Sequence, residues 1–352
     1  MFKKTAIALA VAGAYGASLP VQAQETESGF YGFVNVSMDY ADTKNGGTGS
    51  NIFLPAGSDG SIHLGDQANS RFGFTGSTDL GNGLTAGAKV EIGMGTSAGS
   101  GGSVREDGPF DKRLAWVDLS GSFGNLRLGN QWGALYEYLG YNTMRSYGFG
   151  GANWYEATRH LNDDSFGLRI SDAVDYTYGS GGYGSDPFTF TAQGIFDQIG
   201  DQSTTDETLD AYTLAAAATF GNVTVNGAYY GENNGAGEAE PSLMGVGARV
   251  NLTESLMLAG RWTTTDRDNG TDDVDVISIH GEMDFGNGLS AMAGYGTSSD
   301  DTDGDLDTIF LQMNKNLGAG TNMYVEVENA TRDVAGGDPE STVVAVGMIK
   351  NF

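Results

Sequence analysis

The sequence predicts an all-β chain, a sixteen-stranded antiparallel barrel that crosses a membrane. Three observations predict it. Apolar and polar side chains alternate at every second position along many stretches. Tight Gly/Asn turns alternate with long polar segments. Beyond residue 23 no apolar run is long enough for a spanning helix; the nearest, 212–230, is broken by Thr213, Thr219, Gly221, Asn222, Thr224, Asn226 and Gly227.

The chain opens with Lys3 and Lys4, continues through an apolar, Ala-rich stretch over 5–19, and reaches Val21-Gln22-Ala23. That order predicts a secretory signal peptide over 1–23 and a barrel over 24–352. Hydrophobic residues make up only 39% of the chain and mean hydropathy is −0.26. A barrel gives such values because only alternate residues meet lipid. Cys is absent, so stability must come from pairing and packing rather than disulfides. The formal net charge of −27 excludes a nucleic-acid partner, and the acid excess reads as solvated loops.

One turn element recurs. It appears as Asp79-Leu80-Gly81-Asn82-Gly83-Leu84 and as Asp284-Phe285-Gly286-Asn287-Gly288-Leu289. Shorter forms are Phe123-Gly124-Asn125-Leu126, Phe220-Gly221-Asn222-Val223 and Leu317-Gly318-Ala319-Gly320. Gly and Asn accept the positive φ that tight hairpins need. Between these turns lie longer polar segments over 41–70, 95–111, 133–167, 198–208, 232–240, 267–272, 299–305 and 333–340. Short turns at one rim and long loops at the other are the asymmetry of outer-membrane barrels.

The strands so bounded are 30–40, 71–80, 84–94, 112–122, 125–132, 168–179, 187–197 and 209–220 in the first half. In the second they are 222–231, 241–252, 256–266, 273–285, 289–298, 306–317, 321–332 and 341–352. Alternation within them is plain. Phe72 and Phe74 oppose Arg71, Gly73 and Thr75; Leu84, Ala86, Ala88, Val90 and Ile92 oppose Thr85, Gly87, Lys89 and Glu91. Met244, Val246, Ala248 and Val250 oppose Arg249 and Asn251; Ile277, Ile279, Met283 and Phe285 oppose Ser278, His280, Glu282 and Asp284. Phe123, Phe220, Phe285 and Phe352 fall at the short-turn rim, and Tyr40, Tyr229, Tyr230 and Tyr295 toward the loops, as interfacial girdles would.

By the same alternation Arg71, Lys89, Arg127 and Arg169 point into the lumen, as do Arg249 and Arg261. An Arg facing lipid at mid-bilayer would cost about 2–4 kcal/mol. Arg113 points inward if Leu114 and Trp116 face lipid, a parity that Val117 and Leu119 blur.

Several segments together resemble the general-diffusion porins of Gram-negative bacteria. They are Ser70-Arg71-Phe72-Gly73-Phe74, Asp79 to Leu84, Arg113-Leu114-Ala115-Trp116-Val117, Leu126 to Gln131, Gly133 to Tyr141 and the ending Val346 to Phe352. The resemblance implies a homotrimer in the cell outer membrane, in contact with its lipid and lipopolysaccharide. It also implies passive diffusion of ions and small hydrophilic solutes. It implies a third long loop, about 133–167, folded inward to constrict the barrel, and a terminal Phe352 read by the barrel-assembly machinery. Arg71, Arg113 and Arg169 stand where the family keeps a ladder of wall arginines, with Arg127 and Lys89 beside them.

The sequence departs from the family at the loop tip. A Pro-Glu-Phe-Gly-Gly-Asp run is replaced by Arg145-Ser146-Tyr147-Gly148-Phe149-Gly150-Gly151-Ala152, and Thr143 stands where an acid is common. Glu137, Glu156, Asp163 and Asp164 are candidate replacement acids, and Arg145 and Arg159 would add to a basic eyelet. Asp301, Asp303 and Asp305 are weak calcium candidates that lack the distal Glu of the loop template. His63, His160 and His280 are scattered and no catalytic motif appears, so neither a cofactor nor an enzyme is expected. Two other readings stay open: a barrel-type outer-membrane enzyme, and a substrate-specific channel. Aromatics of the third loop, Tyr136, Tyr138, Tyr141, Tyr147, Trp154 and Tyr155, would line the latter.

Overall fold

The structure is a computed structural model. It describes residues 26–45, 60–95, 110–140, 152–161, 168–179, 187–196, 209–233, 239–268, 270, 273–334 and 337–352. The leader 1–23 and the loop-tip residues Arg145, Tyr147, Phe149, Gly150 and Gly151 lie outside them, as do Asp163 and Asp164.

The strands are β1 (Thr26–Lys44), β2 (Ile62–Gly65), β3 (Arg71–Gly81), β4 (Leu84–Met94), β5 (Phe110–Gly121), β6 (Gly124–Trp132), β7 (Arg169–Tyr178), β8 (Phe188–Ile195) and β9 (Ala211–Phe220). They continue as β10 (Val223–Glu232), β11 (Ser242–Asn251), β12 (Leu256–Asp266), β13 (Val274–Gly286), β14 (Leu289–Ser299), β15 (Asp305–Gly318), β16 (Thr321–Asp333) and β17 (Glu340–Asn351). From β3 to β17 each strand pairs antiparallel with the next. β1 pairs β17 from Phe33↔Asn351 to Lys44↔Glu340 on one side. On the other it pairs β3 over 26–33 and β2 over 37–40. β2 and β3 thus share one place in the ring, and the sheet closes on sixteen places with no edge left over.

The turns explain the register. At three of them a side chain two residues upstream caps the amide of the first turn glycine: Asp79 Oδ1 takes Gly81 N–H at 2.7 Å, Asp284 Oδ1 takes Gly286 N–H at 2.8 Å, and Asn316 Oδ1 takes Gly318 N–H at 2.7 Å. Each shows a one-residue register shift at that glycine, and the three residues of each turn all have positive φ. The chain ends at the same rim. Phe352 exchanges both backbone hydrogen bonds with Gly32, and its ring stacks on Phe30 with centroids 5.7 Å apart.

The faces are inverted relative to a water-soluble protein. Phe74, Val90, Val246, Ile279, Ile309 and Met348 are exposed outward. Buried inward are Asn35, Glu91, Gln193, Asn226, Thr263, Ser278 and Gln312. No described helix is long and apolar enough to cross a membrane. The rim aromatics Phe123, Phe220, Phe285, Phe352, Tyr40, Tyr229 and Tyr295 face out as expected. Tyr230 does not: it has the opposite parity to Tyr229, is buried inward, and donates to Glu232 Oε1 at 3.2 Å.

Two segments read as plain loop carry structure. Residues 41–70 contain the end of β1 and all of β2. Residues 133–167 contain α1 (Ala134–Leu139) and α2 (Ala152–Thr158), each under two turns and too short to leave a helical period in the sequence. Both helices pack on inward-facing side chains. Asn226 donates to Tyr138 O at 2.5 Å, Tyr138 hydroxyl and Thr191 Oγ1 lie 2.9 Å apart, and Gln193 Oε1 accepts Ala134 N–H at 3.1 Å. Further round the ring, Thr265 donates to Ala157 O at 2.6 Å and Asn153 to Thr308 Oγ1 at 2.7 Å.

Candidate functional site

The inward side chains of β3 to β7 set five cations among carboxylates, with Glu91 between two arginines. Arg113 Nε donates to Glu91 Oε1 at 2.7 Å, Arg71 lies 3.6 Å from the same oxygen, and Tyr31 hydroxyl donates to Oε2 at 2.9 Å. Lys89 Nζ lies 4.9 Å from the Tyr31 ring centroid. Arg127 covers the Trp116 ring at 4.5 Å and is 3.8 Å from Asp118, its cross-strand partner. Arg169 lies 5.9 Å from the Trp132 ring. The five cations picked from sequence therefore share one stretch of inner wall.

Arg113 reaches it by a route that simple alternation does not give. Val117 faces out and Trp116 faces in beneath Arg127, so strict alternation would send Arg113 to lipid. A β-bulge intervenes: Glu91 pairs with Leu114 and Ile92 with Lys112, leaving Arg113 as the extra residue. The bulge re-aims its side chain onto Glu91, where it is only 1% exposed.

Arg71 is held by a feature the sequence did not signal. Between β2 and β3 the chain turns inward over 66–70, with Asn69 at φ +60. Asp66 accepts the Ser70 amide at 3.0 Å, Asn35 Oδ1 accepts the Ala68 amide at 3.0 Å, and Ser70 Oγ accepts the Asn35 amide at 2.8 Å. The carbonyls so presented bind Arg71: Nη2 to Ala68 O at 2.7 Å and Nε to Asn69 O at 3.1 Å. The Asn69-Ser70-Arg71 spelling is the only local hint, since Asn tolerates positive φ.

The loop acids divide. Glu137 on α1 lies near Arg127 and Asp175; burial pushes its carboxyl up to about 7 against the pull of Arg127. Glu156 on α2 does not oppose the basic wall. It is bound by Arg332 at 2.6 Å and by Arg159, just past the end of α2, at 3.0 Å. Arg159 therefore adds nothing to the eyelet arginines. It also binds Asp300 at 2.6 Å and Asp303 at 2.9 Å, while Arg267 binds the other Asp300 oxygen at 2.5 Å. Among the weak calcium candidates, Asp303 is thus paired with an arginine, and Asp305 accepts the Asp300 amide at 2.8 Å. Among the described residues His160, Asp300 and Asp303 come close enough to share an ion, yet the guanidinium groups already occupy those carboxylates.

The aromatics of the loop also divide. Tyr138 and Trp154 are buried among wall side chains, whereas Tyr136 is half-buried, stacked on Trp132 at 5.4 Å and edge-on to Trp154 at 5.3 Å.

Comparison with known proteins agrees with this geometry. A stretch of the chain is 36% identical over 157 residues to an outer membrane porin protein of Bordetella pertussis, covering 43% of this chain and 39% of that one. Another match is the major outer membrane protein P.IB of Neisseria meningitidis, 31% identical over 154 residues, 40% of this chain and 41% of that one. The aligned stretch spans about two fifths of each curated relative. An anion-selective porin from Comamonas acidovorans shares the fold, with a TM-score of 0.73 at 20% identity over 93% of this chain and 100% of that one. The family model for Gram-negative porins matches residues 5–335, nearly the whole chain, and the protein belongs to that family of outer-membrane barrels.

Proposed function

We propose that the barrel is a water-filled channel for passive diffusion of ions and small hydrophilic solutes across the outer membrane. On this reading the loop between β6 and β7 narrows the lumen, and the wall formed by Arg71, Lys89, Arg113, Arg127 and Arg169 gives the narrow zone a preference for anions. A single observation carries the preference: Arg113 and Arg71 share one carboxylate, Glu91, and the loop acid Glu156 is consumed by Arg159 and Arg332. Around Glu91, two guanidinium groups therefore share one negative charge. The anion selectivity attributed to the Comamonas acidovorans porin supports the same direction. The tip residues Arg145, Tyr147, Phe149, Gly150 and Gly151 complete the constriction in this reading.

The chain acts as a homotrimer in lipid and lipopolysaccharide, after removal of 1–23, with Phe352 as its assembly signal. It needs no cofactor and catalyses nothing; its machinery is charge placed beside water. Planar-bilayer reversal potentials in a salt gradient test the reading. Arg71→Ala and Arg169→Ala should each move the potential toward cations, and parental potentials in both would overturn it. A substrate-specific channel is the second reading, favoured by the half-buried Tyr136 stacked on Trp132. Solute-saturable conductance would select it.

A further inference from the structure

Beneath α2 lies a polar cluster that the pore reading leaves unused. Arg261 on β12 is 3% exposed. Its Nη2 donates to Asn153 O at 3.2 Å and its guanidinium lies 5.1 Å from the Trp154 ring. Among the described residues Nε and Nη1 have no hydrogen-bond partner, and no carboxylate pairs with this arginine. Ser278 is its cross-strand partner on β13, fully buried, with an unpartnered hydroxyl. Thr263, the next inward residue on β12, is equally buried and its hydroxyl is also unpartnered.

A buried cation without a counter-charge is costly, and a guanidinium cannot shed its proton to escape. Stacking on Trp154 and one carbonyl offset part of that cost. Water could satisfy the hydroxyls but leaves the charge uncompensated. Donors alone remain on the guanidinium, and both hydroxyls can rotate to donate. We infer that Arg261, Ser278 and Thr263 form a buried site for one small monovalent inorganic anion, such as chloride, held between β12, β13 and α2. Asn153 and Trp154 of α2 roof the cluster. Occupancy ties the seating of α2 to halide concentration. The site lies on β12 and β13, apart from the β3 to β7 wall, so it stands independently of the proposed selectivity.

Crystals of the purified porin grown without chloride and soaked in bromide should show an anomalous peak within hydrogen-bond reach of Arg261 and Ser278. In solution, the heat-unfolding midpoint should rise saturably when chloride replaces gluconate at constant ionic strength. Arg261→Met should abolish that dependence and, having lost a buried charge, should fold readily. Ser278→Ala should weaken the apparent chloride affinity severalfold. An ordinary water at the site, or a parental chloride response in R261M, would overturn the inference. Neither outcome would touch the reversal potentials of Arg71→Ala.

Discussion

Asn153 of α2 occupies the space that a side chain at Gly296 of β14 would need. A Cβ there would lie far inside van der Waals contact of the Asn153 amide. Gly296 pairs with Ser278 on one side and Thr308 on the other, and Thr308 is the residue that accepts from Asn153. An inward glycine in mid-strand is therefore the seat of the loop helix. Gly296→Val should force α2 off the wall and cost about 1–3 kcal/mol, as overpacking of a tight site does. Heat unfolding in detergent measures it. Combining Gly296→Val with Asn153→Ala should recover much of the loss, a non-additivity visible in a double-mutant cycle.

Beside the end of α2, Glu156, Arg159, Arg267, Asp300 and Arg332 form a charged latch whose hub is Asp300, fully buried and bound by Arg267 and Arg159. Burial works against its charge, but Arg267 and the amides of Asp303 and Thr302 outweigh it and hold the carboxyl well below the usual range. A depressed carboxyl contributes stability above its unfolded pKa of about 3.9 and loses it as pH falls through the folded value. The latch should thus keep its contribution throughout pH 5–8 (expected from that reference value). Asp300→Ala should cost about 3–5 kcal/mol, because it strands the buried Arg267 guanidinium. Thermal denaturation of the variant checks the figure.

Glu91 ties the basic wall together. Glu91→Gln keeps an acceptor for Arg113 but removes the charge shared with Arg71. Two effects should follow: a reversal potential shifted further toward anions, and a loss of about 2–3 kcal/mol in stability, within the range for a broken charged hydrogen bond. A more cation-selective E91Q would contradict the assignment.

Glu137 gives the lumen a pH response. It lies on α1, off the spanning strands, and its carboxyl is pushed up to about 7 by burial, then eased by Arg127. Above that pH it carries charge and offsets Arg127; below it the carboxyl is neutral. Anion preference should rise as pH falls through about 7. Stability moves the same way, since a raised carboxyl pKa favours the fold at lower pH. Glu137→Gln should hold the low-pH selectivity at every pH tested.

Ala319 stands at φ +49 in a turn whose two counterparts place Asn82 and Asn287 at φ +56 and +52. A left-handed alanine costs roughly 1–2 kcal/mol. Ala319→Asn should raise stability by about 0.5–1 kcal/mol, because Asn tolerates that region better. The midpoint of chemical unfolding reads the gain.

Much of this was legible in the residue order. Strand period, turn chemistry and inward cations are local properties, written into residues such as Val90, Asn82 and Lys89, and the barrel follows from them. Arg113 was ambiguous, because a bulge changes parity without leaving a residue type that announces it. The pairing of Glu156 with Arg332 was not legible at all, since 176 residues separate them. The same holds for the clasp of Asn35 on the Ser70 turn.

Taken alone, the amino-acid order determined the closed sheet, its sixteen places, its inverted faces and which strands carry positive charge. Alternation acts between neighbours two residues apart, so one strand suffices to display it. Only the folded barrel decided which charges meet: that Glu91 is shared, that Glu156 and Arg159 cancel in the latch, and that Arg261 has no carboxylate beside it among the described residues. Electrostatic partnership depends on distance through space, and closing the ring brings together side chains that the chain keeps far apart.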